Sequence, residues 1–362
     1  MTLRELLLHG LTSTPRPQYA GAVAMTLRDG EVVDHAVVGD AVRYGATADE
    51  LPVDEREPMR ADTVFDVASI TKLFTATVAM ALVDRGALDV DAPVREHLPD
   101  YAGEGRSQVT IRHLLVHTSG LPAVRRLWEL RSVEDRIEAV LSARPAATPG
   151  MRFEYSCVGY IVAGLLLERV TGAPLPRLVR EYVTRPSGMS DTGFLPTADL
   201  AARAAATEYQ TYVDRGMVRA SVHDENSWSL GGTAGNAGLF STAADLSRFA
   251  EMLRRGGELD GVRVLSETAI VQMTSDQLPA DLDPGYRHGV GARIADRSFM
   301  GRLADRDAYG HTGFTGTSLV VDPSSGTVVI LLTNRVHPSR EWSDITPVRR
   351  AVADLAAGRA GP

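Results

Sequence analysis

The chain has 362 residues, 44% of them hydrophobic and 23% charged, with a formal net charge of −8, the profile of a soluble globular protein with room for a large core. The acidic balance, uninterrupted by any basic cluster, excludes a nucleic-acid-binding surface. The single cysteine, Cys157, excludes an intrachain disulfide and a thiolate metal cluster.

The N-terminal stretch Met1–Gln18 has an apolar run only from Leu6 to Leu8. That is too short for a signal-peptide core and reads as a short amphipathic helix. No later segment reaches membrane-spanning length, so a cytoplasmic protein without a membrane partner is expected. Tyr19–Ala41 holds two β-rich runs separated by Asp29-Gly30, a hairpin pattern. A charged, proline-containing loop continues to Asp62. From Lys72 to Arg85 the spacing of Leu73, Val78, Ala79, Ala81 and Leu82 predicts a helix that Gly86 ends.

Helical patterns follow at Thr110–His117, Val133–Ala143, Gly159–Val170, Pro174–Val183 and Ala243–Arg255. Strand patterns return at Gly289–Ala295, Ser318–Asp322 and Thr327–Asn334, the last two joined by a Pro-Ser-Ser-Gly turn. A last amphipathic helix covers Thr346–Ala357. Strands at both ends with helices between them predict an α+β fold. An antiparallel sheet flanked by N- and C-terminal helices would carry an inserted all-helical lobe. The expected bounds are 1–67 and 258–362 for the sheet lobe and 68–257 for the helical lobe, with the active site at their junction.

Lysine and arginine together number 38, yet Lys72 is the only lysine. Guanidinium stays protonated at any accessible pH, whereas an ammonium can lose its proton when burial depresses its pKa. The surviving lysine is therefore a candidate for chemistry. No G-x-S-x-G elbow, H-E-x-x-H pair or P-loop occurs, and the glycine-rich Gly231–Gly238 does not follow an apolar strand. What does occur is Val67-Ala68-Ser69-Ile70-Thr71-Lys72. The i to i+3 spacing at a helix start puts Ser69 and Lys72 on one face. A serine hydroxyl needs an adjacent base to become a nucleophile. A helix N-terminus adds backbone N–H groups and partial positive charge beside an attacked carbonyl.

Further along come Tyr155-Ser156-Cys157 and Gly310-His311-Thr312-Gly313. Serine, lysine, tyrosine and a C-terminal [K/H]-T-G in this order resemble the serine β-lactamase and penicillin-binding protein family. Ile111–Pro122, Gly238–Phe249 and Gly310–Pro323 extend the resemblance, which is nearest the class C-type branch. That branch includes lactamase-fold esterases, D-Ala-D-Ala carboxypeptidases and related amidases. The resemblance implies a β-lactamase/transpeptidase-like fold and an acyl-enzyme on Ser69. It also implies proton transfer shared by Lys72 and Tyr155, and an oxyanion hole from the backbone N–H groups of Ser69 and Phe314. His311 would supply a pH-dependent cation where the family commonly has lysine. Thr312 and Gly313 would meet the substrate. Cys157 stands where the family's Tyr-x-Asn has an amide; its weaker hydrogen bonding moves the expectation from β-lactams and peptides toward esters.

His113 and His117, at i and i+4, could form a metal pair, but without a following glutamate they read as structural. His223-Asp224-Glu225-Asn226 reads as a polar loop. Neither metal nor cofactor is expected. The expected activity is that of a serine hydrolase cleaving a small-molecule ester or amide. Alternatives are acyl transfer to an amine or alcohol, muropeptide amidase or D-peptidase action, and lastly a catalytically silent binding module.

Overall fold

Asp29 and Gly30 take φ of 50° and 89°, the left-handed backbone that a two-residue hairpin turn demands and that these residue types tolerate. The strands they join, Gly21–Arg28 and Glu31–Val42, pair antiparallel as the sequence predicts. In this computed structural model, which describes residues 1–359, the hairpin belongs to an eight-stranded antiparallel sheet. Its order runs Arg287–His288, Arg293–Ile294, Tyr309–Thr312, Ser318–Asp322, Thr327–Thr333, Gly21–Arg28, Glu31–Val42 and Glu57–Pro58. The pairing of Gly21–Arg28 with Thr327–Thr333 joins the two ends of the chain in one sheet.

Thr327–Thr333 is buried along its whole length, which explains its unbroken apolar run: a strand covered on both faces has no polar side to show. One face packs Val329 and Leu331 against Leu3 and Leu7 of the N-terminal helix Leu3–Leu11 and Val352 and Ala356 of the C-terminal helix Thr346–Arg359. The other face packs Ile330 and Leu332 against Leu246 and Phe249 of the helix Ala243–Arg254. Phe249 stacks in turn on Phe74 at 4.1 Å between ring centroids. Phe74 lies on Thr71–Asp84, a helix buried without a break from Thr71 to Leu82. Burial of each such aromatic or leucine side chain contributes about 1.5–3 kcal/mol, so this helix is anchored from every side.

Two expectations need correction. The strand predicted over Gly289–Ala295 is instead a pair of short strands, Arg287–His288 and Arg293–Ile294. Gly291 turns between them at φ 91°, and a Cβ on Gly289 would stand 2.0 Å from the carbonyl oxygen of Met273. The helix predicted over Pro174–Val183 runs regularly only from Leu175 to Val179 and widens into a π turn over Arg180–Thr184. Among the described residues, no single helix is long and apolar enough to cross a membrane.

Candidate active site

Ser69 sits in the 3-10 turn Ala68–Ile70 that leads into Thr71–Asp84. Ala68 has φ of 46°, a left-handed conformation that costs a residue with a Cβ about 1–2 kcal/mol. Asp66 holds it there, its Oδ1 accepting the Ala68 N–H at 2.8 Å. One turn on, the fully buried Lys72 donates from Nζ to Ser69 Oγ at 3.0 Å and to the carbonyl oxygen of Asn236 at 3.1 Å. Cys157 Sγ is 3.6 Å from the same nitrogen, and the Tyr155 ring centroid is 4.9 Å away. The sequence pairing of Ser69 with Lys72 is thus a direct contact.

Asn236 belongs to the glycine-rich stretch for which the sequence suggested no role. A Cβ on Gly235 would lie 2.0 Å from the carbonyl oxygen of Tyr160, so only glycine lets this loop lie on the helix Cys157–Thr171. The loop then turns its carbonyls inward. Gly235 O accepts from Thr75 Oγ1 at 2.8 Å and Asn236 O from Lys72. The run of small residues was the available sign of such close backbone approach.

Tyr155 precedes Ser156, whose Oγ accepts from the Gly159 N–H at 2.9 Å and caps the helix Cys157–Thr171. The Arg293 guanidinium lies 5.2 Å from the Tyr155 ring centroid. His311-Thr312-Gly313 arrives on and just after the strand Tyr309–Thr312, to which the sequence patterns assigned no strand. Gly313 is required by contact: a Cβ would stand 2.4 Å from Val67 O and 2.1 Å from Thr317 Oγ1. Thr315 Oγ1 donates to Asp66 O at 2.7 Å and Thr317 Oγ1 to Val67 O at 3.2 Å. These bonds tie the His-Thr-Gly turn to the segment just before Ser69.

Ser69, Tyr155, Thr312, Gly313 and Phe314 line one cleft of about 260 Å³ together with Arg293, Arg335 and Arg349. The sequence reading missed the three arginines, which were indistinguishable among the many others in the chain. Arg349 donates to the carbonyls of Gly313 and Thr317 at 2.5 and 2.9 Å, and Arg335 to those of Phe314, Arg340 and Ser343. Neither makes an ion pair with a carboxylate among the described residues. The Nε atoms of Arg293 and Arg349 are buried there without a hydrogen-bond partner. Burial, then the charges of Arg335 and Arg293, push Arg349 down to about 9, which leaves it charged at neutral pH beside two other cations. Asp344 is the acidic group on the cleft wall.

The charge states differ from expectation. Burial opposes the ammonium form of Lys72, Cys157 and Tyr155 facing it favour that form, and the net direction is upward, toward the ammonium. The expected pH-dependent cation at His311 is overturned: burial, then Arg293 and Lys72, push its pKa well below the ordinary value. Its ring is neutral, with Nδ1 bonded to Thr312 O at 2.8 Å. The extra cation beside Tyr155 is Arg293. Cys157 is likewise pushed up, first by burial, and stays a thiol.

The weaker sequence patterns resolve as structural. His113 Nδ1 accepts the Thr110 N–H at 3.1 Å in a capping box, while His117 turns into the core. His223 pairs with Glu208 at 2.9 Å and stacks on Phe314 at 5.6 Å between ring centroids, and Arg340 bridges Glu208 and Glu225. Among the described residues no group of His, Cys, Asp and Glu is placed to hold a metal ion.

An antiparallel sheet carrying His-Thr-Gly, facing a buried helix that opens on Ser-x-x-Lys, defines a serine hydrolase of the β-lactamase/transpeptidase type. The chain belongs to the Beta-lactamase family, whose model matches residues 2–354. A "Putative D-alanyl-D-alanine carboxypeptidase" of Escherichia coli (strain K12) is 29% identical over 349 residues, 88% of this chain and 79% of that protein. The fold is shared with a family VIII carboxylesterase, at TM-score 0.75 and 23% identity over 99% of this chain and 96% of that one. It is shared too with EstCE1, a hydrolase with promiscuous acyltransferase activity, at TM-score 0.74 and 23% identity over 96% and 97%. A penicillin-binding protein homologue from Caulobacter crescentus matches at TM-score 0.75 and 23% identity over 98% and 96%.

Proposed function

We propose that this enzyme cleaves a small ester or amide through an acyl-enzyme on Ser69, and that its substrate carries a carboxylate beside the scissile bond. The 3.0 Å contact of Lys72 Nζ with Ser69 Oγ, at the floor of a cleft walled by three arginines, carries the reading. Lys72, held as an ammonium, donates to Ser69 Oγ, so the serine's own proton is free to leave toward Tyr155. The new Oγ–C bond pushes charge onto the carbonyl oxygen, which the backbone N–H groups of Ser69 and Phe314 stabilise. Tyr155 returns the proton to the leaving group as the C–O or C–N bond breaks. It then takes a proton from the water that attacks the acyl-enzyme and returns it to Ser69 Oγ as the C–Oγ bond breaks.

Arg335 and Arg349 supply the substrate preference. Guanidinium groups without a carboxylate partner favour an anionic ligand by charge-assisted bonds. This supports D-peptides with a free C-terminus alongside simple esters, a shift from the neutral esters that Cys157 alone suggested. The experiment compares an acyl-D-alanyl ester or amide with a free carboxylate and its methyl ester. The free acid should show a kcat/KM about 10- to 100-fold higher, the value of one or two charge-assisted bonds. Arg335→Gln or Arg349→Gln should narrow that gap. Equal rates for acid and methyl ester remove the carboxylate preference; a Ser69→Ala variant that still turns over substrate removes the acyl-enzyme itself.

A further inference from the structure

His117 is buried at 1% exposure and lies outside the substrate cleft. It takes φ of 62°, so its left-handed backbone costs about 1–2 kcal/mol that surrounding contacts must offset. Two of those contacts bracket Tyr155. The carbonyl oxygen of His117 accepts the Glu154 N–H at 2.9 Å, and its Nδ1 accepts the Ser156 N–H at 3.0 Å. Between these two bonds, the Tyr155 ring lies against the imidazole, 4.4 Å between centroids and tilted by 37°. One residue thus holds the tyrosine's backbone on both sides and its ring on one face.

The hydrogen bond also assigns the tautomer. Nδ1 accepts, so the proton of the neutral ring is on Nε2. His288 and His311 are held the opposite way, with Nδ1–H donating to Gly289 O at 2.7 Å and to Thr312 O at 2.8 Å. Burial keeps His117 neutral, and His288, Lys72, His311 and Arg293 add to that effect. Phe153, Tyr160 and His288 complete the wall around the ring, at centroid distances of 5.9, 5.1 and 5.1 Å. A protonated ring would aim a second donor at the Ser156 N–H and release the clamp.

We propose that His117 is the positioning residue for Tyr155, holding the phenol oxygen where it exchanges protons with Ser69. The inference rests on the reading of Tyr155 as the proton acceptor. His117→Phe keeps a ring in the wall and removes the acceptor. His117→Asn keeps an acceptor, since its Oδ1 falls near the place of Nδ1 and asparagine tolerates a left-handed backbone. Each is measured alone and combined with Tyr155→Phe, following kcat and KM on a p-nitrophenyl ester.

His117→Phe should lower kcat about 100-fold, within the range of a misplaced general base, with KM changed less than about threefold. His117→Asn should recover kcat to within about tenfold of the parent. On the Tyr155→Phe background, where no phenol oxygen remains to be placed, His117→Phe should change kcat less than about threefold. An equal loss on both backgrounds overturns the inference, because a purely structural role does not depend on the phenol oxygen. Should the phenylalanine variant not fold, His117→Gln, whose amide oxygen stands one carbon further out, runs the same cycle. Full activity in Tyr155→Phe overturns the base assignment together with this inference. An inactive Tyr155→Phe beside an unimpaired His117→Phe overturns this inference alone.

Discussion

Replacing Lys72 by methionine separates its chemistry from its place in the core. Methionine nearly matches lysine in length and removes the buried charge and its donors to Ser69 Oγ and Asn236 O. Stranding Asn236 O without a partner costs about 1–3 kcal/mol. Relief from burying an ammonium returns several kcal/mol, as when other buried ions are replaced by apolar side chains. The two nearly cancel, and stability should move by no more than about 2 kcal/mol in either direction. Catalysis has no such compensation. Loss of the group that orients Ser69 should lower kcat by about 10²- to 10⁴-fold, or roughly 3–5 kcal/mol of barrier. Thermal unfolding measured beside ester turnover reads both quantities on one sample. A variant that keeps more than about a tenth of its rate removes Lys72 from the proton chemistry. A variant destabilised by more than about 3 kcal/mol shows that the lysine serves the fold instead.

Acid should weaken the fold through its buried neutral histidines. Burial pushes His288 down to about 3 and His337 down to about 4. Below the ordinary value of about 6.5 the unfolded chain binds protons that the folded chain refuses, so each histidine lowers stability as pH falls, by about 1.4 kcal/mol per pH unit. Above that pH neither contributes a slope. Urea unfolding at pH 7 and pH 5 should differ by about 2 kcal/mol per histidine, and His288→Phe should remove one such share; an unchanged difference in that variant refutes the assignment. Gly235→Ala should drive its Cβ against Tyr160 O, 2.0 Å away, and lift Asn236 O off Lys72. About 1–3 kcal/mol of stability and at least about tenfold in rate should go together, and an alanine variant that melts and turns over like the parent removes the loop from the site.

The hairpin at Asp29-Gly30, the helix from Thr71 to Asp84 and the Ser69–Lys72 pairing were legible because each is written within a few residues. A positive-φ turn, an apolar spacing with a glycine stop and an i to i+3 offset are all local. The order of Ser69, Lys72, Tyr155 and His311 also carried the family and the fold class. Local pattern failed where contact overrode it, as at Gly289–Ala295, where Gly289 packs on the Met273 carbonyl and its N–H bonds Ala292 O across a turn. What only the tertiary structure decided is charge and placement. Lys72 is shifted toward its ammonium form where Cys157 and Tyr155 face it, and His311 is shifted toward its neutral form because burial and Arg293 oppose its charge. His117 reads as one of two spaced histidines on a helix until the fold brings Ser156 to its Nδ1. Arg335 and Arg349 come together in the cleft wall only where the C-terminal helix meets the His-Thr-Gly turn. Protonation and recognition depend on dielectric and distance between residues far apart in the chain, and those distances exist only once the sheet has joined its two ends.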